Sequence, residues 1–149
     1  MSSAGIDVPP AIHVERQRQI DVERWTPDHD DRHADDSLLI VAMMYYRHGA
    51  GLTLPMHCRS SAIEGLAARR RRQGLTVPVA QTVPIGWPWD VRFWKPKTPA
   101  RDLERAGALC LAEIERRRRA DPDCDVDVVE MVLRDIIIAY RTLAPEVTS

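Results

Sequence analysis

The side chains best suited to chemistry lie in a short acidic segment, residues 26–37, which contains five aspartates and two histidines. Its central residues offer the imidazole and carboxylate atoms that zinc, manganese or iron accepts as ligands. These residues are His29, Asp30, Asp31 and His33. A proline precedes them and an Asp-Asp-Ser helix start follows, so we expect an irregular turn in which helical spacing does not apply. Three interpretations stay open: a hydrogen-bonded turn, a loop that contacts a ligand, and a metal site formed by His29, Asp31 and His33. We expect no resident metal and no other cofactor.

The second candidate is a proline-rich stretch, residues 84–99, which contains three of the four tryptophans and the only phenylalanine. Four prolines and a glycine exclude a regular helix, so we expect a stiff loop that folds back on itself. Aromatic faces beside cations are what a nucleotide or single-stranded nucleic acid needs, with stacking worth roughly 1–3 kcal/mol per base. The favoured interpretation is that the rings fill the core, while the cations point to water and the rim offers a ligand surface. The residues are Trp87, Trp89, Arg92, Phe93, Trp94, Lys95 and Lys97.

Composition and charge disfavour several classes of function. The chain has 149 residues, enough for one domain, and 21 basic against 22 acidic side chains give a net charge of -1. This balance provides no general attraction to nucleic acid or to a membrane, and it disfavours double-stranded DNA as a partner. The longest apolar run, residues 38–46, is about half the length of a membrane-spanning helix. Three cysteines without metal-type spacing indicate a reduced, cytoplasmic protein.

The sequence also lacks the motifs of common enzyme classes. It contains no GxGxxG, no Walker-type GKS or GKT, no HExxH and no GxSxG. The usual routes to nucleotide hydrolysis and acyl transfer are therefore closed. We expect a protein that binds without catalysis.

Helices must position the two candidate regions, and the hydrophobic pattern predicts about five of them around the aromatic loop. The first is highly charged, so we expect it to lie on the surface with Trp25 as its anchor. The longest begins at Thr98 and has charged residues on one face, while Gly107 in its apolar face permits close approach of another element. Gly49 is predicted to end the second helix in a left-handed conformation. The fold class is mainly α, with at most one short edge strand in 75–83. The predicted helices cover residues 11–24, 38–48, 61–72 and 99–119, with a last one that begins near 125 or 127.

The domain organisation follows from these elements. Residues 1–10 are expected to form a loose terminus, and residues 11–119 one helical domain with an insertion at 49–84. Residues 120–149 are predicted to be a C-terminal helical extension that packs on the domain or on a partner. Because the last helix has a broad apolar stripe, a homodimer through residues 125–143 is one interpretation of this extension.

Four stretches of the chain resemble a small and mostly uncharacterised protein family encoded in bacteriophages and prophages. The match covers roughly residues 12–48 and 84–119. The stretches themselves are residues 23–33, 86–89, 93–96 and 101–116.

More distantly, the order of features is similar to the ryanodine-receptor repeat domain. Both have a charged helix, a tight turn, an Asp-Asp pair, an aromatic loop and a helix that opens with an Arg and Asp pair. This chain has Arg24 where the turn of that domain usually has glycine. The resemblance implies recognition of nucleotide-derived signals in defence or counter-defence. The matching positions are Trp25, His29, Asp30, Asp31, Trp89, Trp94, Arg101 and Asp102.

These observations lead to one principal hypothesis and two alternatives. We expect a phage-type accessory domain that binds a small anionic or nucleotide-like ligand, or a host protein, where the acidic turn meets the aromatic loop. The first alternative is a metal-dependent hydrolase that uses His29, Asp30, Asp31 and His33. The second is a structural protein that forms oligomers through its last helix.

Overall fold

Helices dominate the fold, and a short two-stranded sheet accompanies them. The computed structural model describes residues 5–32, 35–58, 69–75 and 82–143. The mainly α class predicted from the sequence is confirmed. In chain order the elements are α1 (Pro10–Asp21), α2 (Pro27–Asp31), α3 (Ser37–Gly49), β1 (Met56–Cys58), β2 (Thr82–Pro84), a 3-10 helix (Val91–Phe93), α4 (Pro99–Ala120) and α5 (Asp127–Leu143).

Helix α4 is the centre of the fold, because α1, α3 and α5 all pack against it. Every residue from 102 to 110 is buried, since neighbouring helices cover α4 on several sides. The apolar face contributes residues such as Leu103 and Leu109 to the core. Three charged residues of the other face, Glu104, Arg105 and Glu113, are buried too. A two-faced sequence pattern does not indicate this burial of the charged face.

Helix α1 is also buried along one face, whereas its other face, which includes Val14, is exposed, so the expected surface position holds for that second face alone. Ile12, Glu15, Arg16 and Gln19 are each 0–6% exposed. Their spacing of three, four and seven residues places them on one side of the helix, which faces α4. Few of them are apolar, so the hydrophobic pattern alone did not reveal the buried face. Charged side chains that form ion pairs, Glu15 and Arg16, occupy much of this buried face.

Two glycines let neighbouring helices approach closely. A β-carbon at Gly107 would lie 2.7 Å from Ile12 Cδ1, so the predicted close approach to α4 is confirmed and its partner is α1. A β-carbon at Gly49 would lie 2.9 Å from Leu103 Cγ. Gly49 is the last residue of α3 and is not left-handed, so the predicted cap conformation is wrong; Gly51 has the positive φ, at 72°. Contact with α4, and not a turn, accounts for glycine at position 49.

Among the described residues, two with side chains adopt the left-handed backbone conformation that favours glycine. Arg24 has a φ of 64° in the turn between α1 and α2, and Asp36 has a φ of 65° just before α3. The Asp36 side chain makes no capping hydrogen bond to α3 and pairs with Arg117 at 3.2 Å instead. Both turns therefore carry a conformational cost that the surrounding contacts must offset.

Threonine followed by proline starts two of the helices, as predicted for α4. Thr98 Oγ1 accepts a hydrogen bond from the Arg101 backbone N–H at 3.2 Å, and Thr26 Oγ1 accepts one from the His29 N–H at 3.3 Å. In each case the proline occupies the first turn, where no N–H partner is needed. Local sequence thus determines where α4 begins. The irregular turn expected around His29 is wrong for residues 27–31, because the Thr26 cap and Pro27 start the short helix α2 there.

The sheet and the segment before it are only partly described. Strand β1 pairs antiparallel with β2, with Met56 opposite Pro84. The predicted edge strand at 75–83 lies mainly outside the described residues. The same is true of the helix predicted from residue 61, of which residues 69–72 are described and are helical. Within the described ranges, no helix combines the length and the apolar character that crossing a bilayer requires.

Candidate functional site

All four tryptophans of the chain form one continuous aromatic row, in the order Trp25, Trp89, Trp87 and Trp94. Successive ring centroids are 5.3, 6.1 and 5.3 Å apart, and each pair meets edge to face. This is a favourable arrangement for aromatic rings, because the positive edge of one faces the negative face of the next. The row joins the turn after α1 to the loop before α4. The structure therefore brings the acidic turn and the aromatic loop together.

A histidine lies at each end of the aromatic row. The His29 ring is nearly parallel to Trp25, with the centroids 6.1 Å apart and the planes at 12°. The His48 ring meets Trp94 edge to face at 5.4 Å. Each histidine has 28% of its side chain exposed, and each contacts a fully buried aspartate. The two ends of the row are thus built alike.

Exposure differs along the row. Trp94 is 1% exposed and Trp25 is 8% exposed, so both belong to the core. Trp87, Trp89 and the adjacent Phe93 are only partly buried. The aromatic loop therefore fills the core from one side and presents ring surface to solvent on the other.

Basic side chains border the partly exposed rings. The Arg92 guanidinium lies 4.8 Å from the Phe93 ring centroid and is exposed, as are Lys95 and Lys97. Lys95 Nζ donates to Glu23 Oε1 at 2.7 Å, which partly neutralises its charge. The outer side of the loop thus combines aromatic faces with positive charge.

Tyr45 of α3 fixes the backbone of the aromatic loop. Its hydroxyl donates to the Phe93 carbonyl at 2.8 Å and accepts from the Lys95 N–H at 3.0 Å. Arg105 of α4 donates to the Lys95 carbonyl. Burial raises the pKa of Tyr45, so its hydroxyl stays protonated and able to donate at neutral pH. Residues from two helices hold the loop in place, and neither was predicted from the sequence.

At the Trp25 end, a buried ion pair anchors the acidic turn. Asp30 is fully buried, and its Oδ2 accepts a hydrogen bond from Arg16 Nη2 at 2.7 Å. Arg16 also donates to the Trp25 carbonyl at 3.2 Å, and Asp30 Oδ1 lies 3.3 Å from His29 Nδ1. Burial raises the pKa of Asp30, although the charge of Arg16 opposes this effect. Asp31 is on the surface and pairs with Arg119 at 2.8 Å.

At the Trp94 end, a histidine and an aspartate connect two helix ends. His48 Nδ1 lies 2.8 Å from Asp102 Oδ2, and Asp102 Oδ1 accepts the Lys97 N–H at 2.8 Å. His48 is in the last turn of α3 and Asp102 is in the first turn of α4, where the two helix dipoles favour a cation and an anion respectively. Asp102 was predicted to contact a ligand, and the structure places it, fully buried, against His48.

Arg101, another predicted ligand residue, lies in a separate charge network between α1, α4 and α5. It donates to Glu15 at 2.8 Å and to Glu104 at 2.6 Å, and Tyr140 donates to Glu104 at 2.7 Å. Burial would raise the pKa of Glu15, but hydrogen bonds from Arg18 and Arg101 outweigh it and the pKa is lowered. Burial together with Glu104 raises the pKa of Tyr140 to about 12. This network joins three helices.

The site residues that were not predicted from the sequence are mainly those that form hydrogen bonds to the predicted residues. Arg16, Tyr45 and His48 each bind a predicted site residue or its backbone, and none belongs to a recognised motif. One signal was present: Ile12, Arg16 and two further residues share a helical face, which marks that face as a packing surface. Nothing in the local sequence indicates which distant partner each would find.

The described residues do not support a metal centre. No group of three or more His, Cys, Asp or Glu side chains within the described ranges is placed to hold a metal ion. His33, one of the predicted ligands, lies outside those ranges, whereas Asp30 and Asp31 are bound by arginines. Comparison with protein-family models, with curated proteins and with solved structures finds no match. The site is therefore interpreted from its own geometry.

Proposed function

We propose that this protein is a non-catalytic binding domain, and that a small anionic ligand of the nucleotide class stacks on the outer side of its aromatic loop. The observation that supports this is the partial exposure of Trp87, Trp89 and Phe93 beside the exposed cation of Arg92. A planar base can stack on such rings while the phosphate approaches the cation. The resemblance to phage proteins supports an accessory role in counter-defence as part of this proposal.

The cavity behind the aromatic row is too small for this ligand, which supports the outer side of the loop as the binding surface. Behind the row, the cavity next to Trp25 and Phe93 has a volume of about 10 Å³. Small-molecule pockets usually measure roughly 300–1,000 Å³. The ligand would therefore lie on the loop, with one face open to water.

The buried acids favour binding over catalysis. Asp30 and Asp102 are the carboxylates nearest the ends of the row, and Arg16 and His48 bind them. Carboxylates that are fully buried and paired in this way hold structure together. This supports a non-enzymatic role and weighs against the hydrolase alternative.

Titration of the full chain with a panel of nucleotides and cyclic dinucleotides tests the proposal. Tryptophan fluorescence should change with saturation, because two of the rings in the row are partly exposed. At 100 times the dissociation constant, a ligand adds about 2.7 kcal/mol, which raises the melting temperature by roughly 5–10 °C. Unchanged fluorescence and melting temperature across the panel would refute the proposal.

Two matched arginine variants locate the surface. Arg92→Ala removes the cation over Phe93, and Arg134→Ala removes another exposed arginine, from α5. We expect Arg92→Ala to weaken ligand binding several-fold, about 1 kcal/mol. Arg134→Ala should bind like the parent protein. Equal effects of the two variants would show that only general charge matters.

A protein partner is the second candidate, and one observation favours it. Ile85 is 59% exposed and Val91 is 39% exposed, and both belong to the aromatic loop. Apolar side chains next to partly exposed rings are typical of protein interaction surfaces. Replacing Ile85 with aspartate should abolish binding of a protein partner and leave nucleotide binding close to that of the parent.

A further inference from the structure

Helix α5 has two faces, and the rest of the described chain covers one of them. Most of its apolar stripe packs against α4, with Leu133 and Ile136 at 0% exposure, so the stripe that suggested a homodimer lies in the core. The other side, called here the exposed face of α5, is open to solvent along the whole helix. Its residues are Asp127, Val128, Met131, Arg134, Asp135, Ile138, Arg141 and Thr142.

Three apolar side chains stand on the exposed face. Val128 is 55% exposed, Met131 is 56% exposed and Ile138 is 64% exposed. Met131 and Ile138 are seven positions apart, which is nearly two helical turns, so they lie in line along the centre of this face. Single exposed apolar residues are common, whereas an apolar line with this spacing is typical of the seam between paired helices.

One base and one acid lie on the two sides of this line, halfway between its ends. With 3.6 residues per turn, Arg134 and Asp135 are each about 50° from the line through Met131 and Ile138, in opposite directions. Among the described residues, neither of the two charged side chains makes an ion pair or a hydrogen bond. The exposed face thus has a basic flank and an acidic flank, and both charges are available to a second molecule.

We propose that two copies of this chain pair through the exposed face of α5, with the two helices parallel. A two-fold axis along the helices places Met131 and Ile138 against the same residues of the second copy. The same axis brings each basic flank to the acidic flank of the other copy, so Arg134 faces the partner's Asp135 and two ion pairs form. An antiparallel pair joins like flanks, arginine to arginine and aspartate to aspartate. The charges therefore favour the parallel arrangement.

The N-terminal segment enlarges the surface that a second copy meets. Arg141 donates to the Asp7 carboxylate at 3.0 Å and to its carbonyl at 2.9 Å, which holds this segment beside α5. Between the two lies a groove of about 240 Å³, whose lining includes Ile6 and Ile138. A contact made by one helix and this groove is still smaller than a standard interface of about 1,600 Å². We therefore expect reversible pairing that depends on protein concentration.

This surface goes beyond the proposed ligand site, and pairing does not depend on a ligand. Sedimentation velocity of the full chain tests it at protein concentrations from about 1 μM to about 1 mM, a range that covers weak and moderate dimers. The weight-average mass should rise from that of one chain towards that of two as the concentration increases. The mass of one chain at every concentration would overturn the proposal, and so would growth beyond two chains.

Two matched variants locate the contact. Ile138→Glu puts a charge in the centre of the exposed face, and Val14→Glu makes the corresponding change on α1, where Val14 is 68% exposed. Burying a charge in an apolar seam is costly, so Ile138→Glu should weaken pairing about tenfold or more. Val14→Glu should pair like the parent protein, and circular dichroism confirms that both variants fold. Pairing of Ile138→Glu at the strength of the parent would contradict the proposed surface.

A charge exchange tests the parallel arrangement. Asp135→Arg makes both flanks basic, so pairing should weaken about three- to tenfold. Adding Arg134→Asp to the same chain exchanges the two charges, and pairing should return to the strength of the parent. In an antiparallel pair, Asp135→Arg only replaces one contact between like charges by another. Unchanged pairing in Asp135→Arg, or a double variant as weak as the single one, would overturn the parallel pair.

Discussion

Replacing Gly107 by alanine tests how closely α1 is packed against α4. The added β-carbon would lie 2.7 Å from Ile12 Cδ1 and 3.0 Å from Ile12 Cγ2, and Ile12 is fully buried. Alanine gains about 1 kcal/mol over glycine within a helix, whereas overpacking a core costs about 1–3 kcal/mol. Because one atom of a buried side chain clashes and a second is in tight contact, we take the upper part of that range. The free energy of unfolding should fall by about 1–2 kcal/mol.

Urea unfolding followed by circular dichroism measures this change, and a second variant identifies its cause. Ile12→Val removes Cδ1, the nearest atom, and by itself costs about 0.5–1.5 kcal/mol. In the Ile12→Val background the cost of Gly107→Ala should be clearly smaller, because part of the clash is gone. A Gly107→Ala protein as stable as the parent, or a cost that Ile12→Val leaves unchanged, would refute the proposed packing.

Three further predictions concern the turn, the charge network and the pair at the Trp94 end. Arg24→Gly should raise the free energy of unfolding by about 0.5–1 kcal/mol, because a left-handed residue with a β-carbon costs more than the flexibility of glycine. Arg24→Ala, which keeps the β-carbon, should show no such gain in chemical denaturation. Glu15 has a pKa below its usual 4.5, so its ionised form stabilises the fold above pH 4.5, and this contribution is lost as the pH falls through the folded-state pKa. The stability difference between the parent and Glu15→Gln should therefore be large at pH 7 and shrink below pH 4.5; a constant difference over that range would contradict the network. A double-mutant cycle of His48→Ala and Asp102→Ala should give a coupling energy of about 0.5–3 kcal/mol, and additive effects would show that the two side chains do not interact.

Much of the fold could be predicted because its signals are local. Thr98 and the proline after it start α4, because the Thr98 side chain accepts a hydrogen bond from the backbone N–H three residues later. The apolar stripe of α5 likewise follows from the spacing of its own residues. The stiffness of the aromatic loop follows from its prolines. Contacts between residues far apart in the chain could not be predicted in this way. Gly49 was predicted to end α3 in a left-handed turn, whereas in the structure it faces Leu103.

In the candidate site, too, some features could be predicted from the sequence and others could not. Trp25, Trp89 and Trp94 were predicted from the sequence, and the structure places all three in one row. Arg101 and Asp102 were predicted to contact a ligand, and in the structure both side chains bind other residues of the protein. Adjacent residues on α4 point to different neighbours, one to α1 and the other to α3, and no spacing rule contains that information.

The sequence by itself determined the mainly α class, the start of α4 and the existence of an aromatic loop, because backbone geometry depends on residues within a few positions of one another. Tertiary structure alone decided which tryptophans face water and which charges are buried. Burial depends on what the chain folds against, so Glu15 and Arg16 became core residues when α4 covered them. Paired charges satisfy each other in the interior, and their partners lie as many as 99 residues away in the chain.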